Sequence, residues 1–381
     1  MKKSRRYTGR RPGGYHPPHC PNPSCDFHHP NPNWRFVRRG SYRDSRISKR
    51  IRVYRCVHCG RAFSHRTFTT SYWLRYPKLL RSVAALISEG PGYRQMGRVL
   101  GISHTTVARY IGRLSRHCLL FHQNLNQNQK IEEPLVADGF ETFAYSQYFP
   151  FHINLLVGAR SWFLYGFTDS PLRRKGAMTK EQRERRAALE MVYGRPDPKA
   201  VEQGMYDLLR SVIPHLYRRQ PFELHTDDHP AYKRAIKRLE QDVPTPPPIY
   251  HRITSSKARR TTSNPLFSVN LSDLLLRHGS ANHRRETIAF SKHRQGAMER
   301  AGIFLVWRNY VKPKSENGRR ETAAMWLGIT DRFLTWRQIL RRRLFPERVE
   351  LPERWQAYYW RRVTSEVYGD RQAVHACRYA F

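Results

Sequence analysis

The spacing of apolar residues along the chain changes near residue 131, from a helical period to short continuous runs. Before that point, residues 75–90 have one apolar face and predict an amphipathic helix. A second short helix is predicted over residues 93–100 with Gly101 as a tight turn, and a third begins after Ser103, a typical N-cap residue. The pattern predicts a helix-turn-helix, although any unit of three packed helices has similar spacing.

After residue 131 the pattern predicts an α/β domain. Apolar runs predict five strands, over residues 135–138, 151–158, 161–168, 222–226 and 249–253. Helical periodicity predicts a highly charged helix over residues 175–195 and amphipathic helices over 199–216, 230–239 and 264–278. Three strands followed by helices alternating with two further strands is the element order of an RNase H-like domain.

Aspartates end two of these predicted strands. Asp138 closes the first apolar run, and Asp227 follows residues 222–226, directly before a helix that Pro230 can start. In α/β folds, metal ligands and catalytic groups lie at the carboxyl ends of the sheet strands, where these two carboxylates are predicted to be. Each aspartate could instead cap a turn, a common role for this residue.

Four of the six cysteines form two close pairs, Cys20 with Cys25 and Cys56 with Cys59. Zinc prefers four soft ligands in a tetrahedron, and a short turn places two sulfurs on one side of the ion. The pattern predicts a structural zinc ribbon, with His28, His29 and His58 as possible substitutes for a cysteine. Two disulfides are not expected, because the basic N-terminus has no apolar run typical of a secretory signal. Cys118 and Cys377 are predicted to be isolated, inert thiols.

The charge balance of the chain points to a polyanionic partner. The chain has 69 Lys and Arg against 30 Asp and Glu, a formal net charge of +39 that is spread over its whole length. Such a field favours nucleic acid as the partner. No stretch approaches the roughly 20 apolar residues that a membrane-spanning helix needs.

The last third of the chain, residues 284–381, is basic, aromatic and predicted to be helical. Aromatic side chains among Arg and Lys are typical of nucleic-acid binding, and they are equally typical of a helical core with cationic outer faces. The sequence leaves both interpretations open.

Several separate segments resemble one family, the bacterial insertion-sequence transposases of the DDE type, which have an RNase H-like core. The resemblance covers about residues 20–345 and is carried by the order of zinc ribbon, helix-turn-helix and α/β core. It is specific in five segments: 225–227 (HTD), 229–232 (HPAY), 264–273 (NPLFSVNLSD), 283–292 (HRRETIAFSK) and 307–313 (WRNYVKP).

The resemblance implies DNA cleavage and strand transfer with paired magnesium ions, or manganese as a substitute. It implies Asp138 as the first carboxylate and Asp227 as the second, with Asp228 facing away. The family pattern usually has Glu as the third carboxylate, and this chain offers Asp273 on the last helix of the core. Glu286 and Glu299 are the other candidates.

Further residues are predicted to contact DNA. In the helix-turn-helix they are Ser103, His104, Thr105, Thr106 and Arg109, with Tyr110 on the same open face. Arg277, one helical turn beyond Asp273, and Lys292 are predicted to brace phosphates, although either could be surface charge.

These observations predict a multidomain protein. The predicted parts are a disordered basic arm (1–19), a zinc ribbon (20–72), a helix-turn-helix (73–125), an RNase H-like α/β core (131–315) and a basic helical extension (316–381). We expect double-stranded DNA as the partner, a homodimer or larger assembly on DNA, and a cytoplasmic, nucleoid-associated location in a bacterium. A DNA-binding regulator without catalysis, a nuclease that cuts without joining and an inactive relic are the competing interpretations.

Overall fold

Two β-sheets organise the computed structural model, which describes residues 15–45, 48–217, 220–284, 287–363, 365 and 367. The first sheet contains β1 (Phe36–Asp44), β2 (Lys49–Cys56) and β3 (Ala62–Ser64). Its strands are antiparallel in the order β1-β2-β3. Phe36, Tyr54 and Phe63 form its small core together with Phe345 from the far end of the chain. His19 is also buried, so the folded part begins before residue 20.

Three helices follow: α1 (Leu79–Ser88), α2 (Tyr93–Leu100) and α3 (His104–Asn126). The predicted turn and N-cap are both present. Gly101 adopts the left-handed conformation with a φ of +63°, and the Ser103 hydroxyl accepts a hydrogen bond from the Thr106 amide. The expected exposure of Tyr110 is wrong. Its ring is buried and its hydroxyl accepts a hydrogen bond from the Tyr76 amide, because the chain before α1 folds over this face of α3.

The second sheet contains β4 (Leu135–Phe143), β5 (Pro150–Gly158), β6 (Leu164–Pro171), β7 (Phe222–Thr226) and β8 (Ile249–Ile253). The strand order is β6-β5-β4-β7-β8. The pairs β4–β5 and β5–β6 are antiparallel, whereas the pairs β4–β7 and β7–β8 are parallel. The prediction of a mixed α/β fold with five strands is confirmed.

The described part of this region has five α-helices: α4 (Lys180–Tyr193), α5 (Ala200–Val212), α6 (Pro230–Asp242), α7 (Phe267–His278) and α8 (Arg294–Val306). Of these, α4 has no buried residue, and the other four cover the two faces of the sheet. Leu135 and Ala137 of β4 pack with α5 and α6, whereas Val136 and Phe140 pack with α7 and α8. Side chains alternate between the faces of a strand, so Asp138 lies on the α7 side.

The expectation that β4 ends at Asp138 is wrong. The antiparallel ladder with β5 continues from Asp138, opposite Leu155, to Phe143, opposite Pro150. The apolar pattern stops earlier because Gly139 follows Asp138 and Glu141 faces solvent. Asp138 therefore lies within a strand rather than at its end.

The C-terminal third is less helical than predicted. After α8 and a π-helical turn (Trp307–Val311), the chain forms three short helices, α9 (Ala323–Trp326), α10 (Trp336–Ile339) and α11 (Glu353–Tyr359). Among the described residues, five of the eight tyrosines and tryptophans of this segment are buried in the core: Tyr310, Trp336, Trp355, Tyr358 and Tyr359. Residues of this segment also complete the core under α1–α3. In the described part of the chain, none of the helices is both long and apolar enough to cross a membrane.

Candidate metal centres and nucleic-acid interface

The four paired cysteines converge at one end of the first sheet. The sulfur atoms of Cys20, Cys25, Cys56 and Cys59 all lie within 4.8 Å of one another, and those of Cys20 and Cys59 are 3.5 Å apart. Four ligands at a zinc–sulfur distance of about 2.3 Å would be about 3.8 Å apart in a tetrahedron. The four cysteines thus fit a structural zinc ion, as predicted.

The backbone around these cysteines holds the two turns in place. The Cys20 amide donates to the Phe27 carbonyl at 2.9 Å, and the Gly60 amide donates to the Cys56 carbonyl at 3.1 Å. Burial raises the pKa of the Cys20 thiol. Burial also opposes ionisation of Cys59, but hydrogen bonds from the Arg61 backbone and neighbouring side chains outweigh it and lower the pKa of that thiol to about 7. Of these two thiols, Cys59 is thus the more readily ionised to bind a metal.

The second candidate centre is the cluster of Asp138, Asp227 and Asp273, which we call the carboxylate cluster. Val136 of β4 pairs in parallel with His225 of β7. Asp138 and Asp227 each follow two residues later, so they lie at the same level on neighbouring segments of the chain, just beyond the last paired residues. Asp273 lies in α7, the helix that packs on the Asp138 face of the sheet.

The electrostatics of the three aspartates confirm that they are close together. Burial and, next, the neighbouring Asp227 charge raise the pKa of Asp138 to about 6, against a hydrogen bond from the Gly139 amide. Burial and the Asp138 charge hold the pKa of Asp273 well above its ordinary value. All three carboxylates raise the pKa of the buried Tyr232 hydroxyl beside them. The cluster accumulates negative charge that its surroundings only partly compensate.

The donor set suits a hard divalent cation. Asp273 Oδ1 is buried and has no hydrogen-bond partner. A shielded carboxylate oxygen without a donor is costly unless a cation or water satisfies it. Carboxylate oxygens are the ligands that magnesium prefers. Among the described residues, the four cysteines are the only group of three or more His, Cys, Asp or Glu residues whose ligand atoms all lie within 4.8 Å of one another. The ligand atoms of the three aspartates are therefore more widely spaced than the cysteine sulfurs.

Two arginines flank the carboxylate cluster. The charge of Arg277 lowers the pKa of Asp273, and its guanidinium lies 4.6 Å from the Phe140 ring centroid. Arg260 lowers the pKa of both Asp138 and Asp273. The sequence pointed to Arg277 through its spacing from Asp273. The sequence does not single out Arg260, because no local pattern shows which of the neighbouring cations turns toward the carboxylates.

The other predicted site residues lie elsewhere or outside the description. Glu286 falls outside the described residues. Glu299 is buried beneath α3, where its carboxylate pairs with the Arg361 guanidinium at 3.0 Å. Asp228 is exposed. Lys292 is also exposed, and its ammonium lies 3.6 Å from the Phe290 ring near the far end of β4, so it does not join the carboxylate cluster.

The exposed face at the start of α3 carries most of the residues predicted to contact DNA. Ser103, His104, Thr105 and Arg109 are exposed at the start of α3, and Thr106 is half-buried. The Ser103 hydroxyl lies 2.9 Å from those of Thr105 and Thr106. This cluster of small hydroxyl side chains leaves the N-terminal end of α3 accessible.

Comparison with known proteins gives little further information. No protein-family profile and no curated protein matches the chain. One solved structure that aligns with it is the cryo-electron microscopy structure of the simian T-cell lymphotropic virus intasome in complex with the PP2A regulatory subunit B56 gamma. The alignment covers 69% of this chain and 74% of that chain, with 14% identity and a TM-score of 0.22. A TM-score this low does not establish a shared fold.

Proposed function

We propose that this protein is a DNA transposase of the DDE type, which cleaves DNA at the ends of a mobile element and joins them to a target. The observation that carries the proposal is the convergence of Asp138, Asp227 and Asp273 from β4, the end of β7 and α7. The strand order β6-β5-β4-β7-β8, with three antiparallel strands followed by two parallel ones, is that expected of an RNase H-like core.

The three aspartates are assigned to binding two magnesium ions, which would activate the attacking oxygen and stabilise the leaving one. Asp138 is fixed within a strand, Asp227 is held by its hydrogen bond from the His229 amide, and Asp273 is fixed in a helix. Arg260 and Arg277 lie where a phosphate over the cluster would need positive charge. Their charges favour ionisation of Asp138 and Asp273, which cation binding requires, against the burial that raises the pKa of both carboxyls.

The remaining parts are assigned to DNA binding. The exposed start of α3 would read a base sequence in the major groove. The net charge of +39 would supply the sequence-independent attraction to phosphates. The zinc ribbon would be structural, since four cysteines leave no open position on the ion. The preferred setting is a bacterial insertion sequence, with a dimer or larger assembly on the two element ends.

A magnesium-dependent strand-transfer assay on DNA carrying the element ends tests the proposal. We expect Asp138→Asn, Asp227→Asn and Asp273→Asn to lower cleavage and joining by at least about 1,000-fold, because each removes a charged ligand of the reaction centre. DNA binding by these variants should remain. Asp228→Asn is the matched control, because it removes the adjacent exposed carboxylate.

Three results would change the assignment. Activity in Asp273→Asn with loss in Glu286→Gln would move the third ligand to Glu286. Cleavage by the wild type without joining would make the protein a nuclease. Tight, sequence-specific binding without any cleavage would make it a regulator or an inactive relic.

The role of α3 is tested separately by Arg109→Ala. We expect a loss of about 1–3 kcal/mol in specific binding and little change on unrelated DNA. Arg185→Ala is the control: it removes one positive charge from the exposed face of α4, away from the helix-turn-helix.

A further inference from the structure

The helix α4 lies on the surface of the molecule and presents one of its faces entirely to solvent. All 14 of its residues are described, and none of them is buried. Met191 is 89% exposed and the adjacent Val192 is 71% exposed. Single apolar side chains are common on protein surfaces, but adjacent ones on a helix mark a surface that a partner can cover.

The opposite face holds α4 in place. The Glu190 carboxylate accepts two hydrogen bonds from the Arg173 guanidinium, at 2.7 and 3.0 Å, and pairs with Arg186 at 3.5 Å. The Tyr193 ring centroid lies 5.8 Å from that of Phe149, in the segment before β5. These contacts fix the helix on its inner side, so its exposed face is in position before any partner binds.

Helical spacing places a defined set of residues on this exposed face. Successive residues of an α-helix are rotated by about 100°, so side chains within about 60° of Ala188 point the same way. We call this set the outer face of α4; its members are Glu181, Glu184, Arg185, Ala188, Met191 and Val192, all of which are exposed. Arg195 follows the Gly194 C-cap at the end of the face, and its side chain is 70% exposed.

The charge of the outer face differs from that of the chain as a whole. The formal net charge of +39 opposes the association of two copies. Here, however, the two carboxylates of Glu181 and Glu184 balance the two guanidinium groups of Arg185 and Arg195. A second copy can approach a neutral, partly apolar face, whereas DNA phosphates require an excess of cations. The outer face therefore suits a protein rather than DNA.

The order of residues along α4 is complementary to itself when it is reversed. Glu181 and Arg195 each lie seven residues from Ala188, or about 10.5 Å along the helix. A two-fold axis at Ala188 would set two copies of α4 antiparallel and place Glu181 of each copy opposite Arg195 of the other. Arg195 also pairs with Glu190 in its own chain at 3.0 Å, and the five donors of a guanidinium can serve both carboxylates.

We infer that the outer face of α4 is a two-fold contact between two copies of this chain. Met191 and Val192 lie between the two pairs of charges, and the small side chain of Ala188 lets the helices approach closely. The contact is small, because a helix of 14 residues is about 21 Å long and stable interfaces bury about 800 Å² on each partner. The dissociation constant should therefore be on the order of 10 μM or above. The inference goes beyond the proposed function, because the contact forms without DNA.

The first test measures self-association of the full chain by sedimentation equilibrium without DNA. Met191→Glu places a charge in the contact, so we expect the dissociation constant to rise at least about tenfold. Val99→Glu is the matched control, because it adds the same charge to another exposed apolar position, in α2, and should leave association unchanged. Since α4 has no buried residue, both variants should fold, which far-ultraviolet circular dichroism checks.

Exchange of the paired charges tests the two-fold arrangement itself. Glu181→Arg or Arg195→Glu alone would set like charges opposite each other, and each should raise the dissociation constant about tenfold. The double variant reverses both partners and should restore the wild-type value. Arg183→Glu is the control for charge, because it makes the same change on the same helix about 140° away from Ala188.

A cysteine at the two-fold axis gives an independent measurement. Facing Cα atoms of two helices that pack 8–10 Å apart are about 4–5 Å from each other, within the range of a disulfide. Ala188→Cys should therefore cross-link two chains under mild oxidation. Ala187→Cys is also exposed but is rotated by about 100°, so it should cross-link little more than the wild type, which shows the background from the native cysteines.

The remaining outcomes each overturn the inference. A chain that stays monomeric, a dimer that survives Met191→Glu, or single charge changes that the double variant does not rescue would each refute the two-fold contact. Loss of affinity for unrelated DNA in Met191→Glu, with self-association unchanged, would assign the outer face to DNA. None of these results affects the proposed function, which the strand-transfer assay tests separately.

Discussion

The cysteine group and the carboxylate cluster are both sets of metal-ligating side chains, and they are assembled in opposite ways. The cysteines come from two short turns joined by one β-hairpin, and their sulfurs are already within 4.8 Å of one another. The aspartates come from β4, the end of β7 and α7, and 135 positions separate Asp138 from Asp273. A large folded core positions them. We therefore expect the small domain to need zinc in order to fold. We expect the carboxylate cluster, without bound metal, to destabilise the domain that positions it.

The largest expected effect is the loss of zinc. Cys56→Ala should abolish zinc binding and unfold residues 15–72, because the three-stranded sheet has a small core and structural zinc contributes about 10–16 kcal/mol in isolated zinc modules. Zinc content and near-ultraviolet circular dichroism measure this. Cys118→Ala, which removes a buried thiol in α3, should keep the full zinc content. A Cys56→Ala protein that retains one zinc per chain would contradict the comparison.

In the metal-free protein, the ionised carboxylate cluster should lower the stability of the fold. The pKa of Asp138 rises from an ordinary 3.8 to about 6 through burial and the Asp227 charge. Between these values the folded state binds more protons than the unfolded state, so the free energy of unfolding falls as the pH rises from about 4 to about 6. This shift corresponds to about 3 kcal/mol.

Asp138→Asn should remove that part of the pH dependence, because an amide cannot ionise. Chemical denaturation at a series of pH values measures the difference between the two proteins. The charged groups that face Asp138 are Asp227, Asp273 and Arg260, and they remain in both. An unchanged pH profile in the variant would show that the carboxylates do not destabilise the fold.

Magnesium should reverse the destabilisation. A cation that binds only the folded state at 100 times its dissociation constant adds about 2.7 kcal/mol to the free energy of unfolding. The added stability should disappear in Asp138→Asn and Asp273→Asn, and persist in Asp228→Asn. Thermal unfolding with and without magnesium measures it. Equal stabilisation of all three variants would place the cation elsewhere.

The contrast also explains what could be predicted from the sequence. The cysteine pairs, the strand before Asp227 and the helix that starts at Pro230 are local patterns, and the structure contains each of them. Asp273 follows from the family resemblance, which implies a third carboxylate on the last helix of the core. The roles of these residues in metal binding and catalysis remain predictions.

What the sequence did not predict depends on distant contacts. Tyr110 has the spacing of an exposed residue, but the chain near Tyr76 covers it. The apolar pattern could not show that β4 continues beyond Asp138, because that depends on pairing with β5. One cavity is lined by Trp162 and Ser268, which are more than 100 positions apart, and no local pattern brings them together.

The smallest expected effect concerns the charge beside the carboxylates. Arg260 lowers the pKa of both Asp138 and Asp273, whereas Lys292 lies near the far end of β4. Arg260→Gln should therefore raise the pKa of Asp138 by less than about one pH unit, since a nearby opposite charge favours the ionised form. Lys292→Gln removes the same charge and should leave that pKa unchanged. Nuclear magnetic resonance titration of the Asp138 carboxyl measures both. Because the two variants have the same net charge, equal shifts would mean that the overall field of the protein, rather than Arg260 itself, sets the ionisation of the cluster.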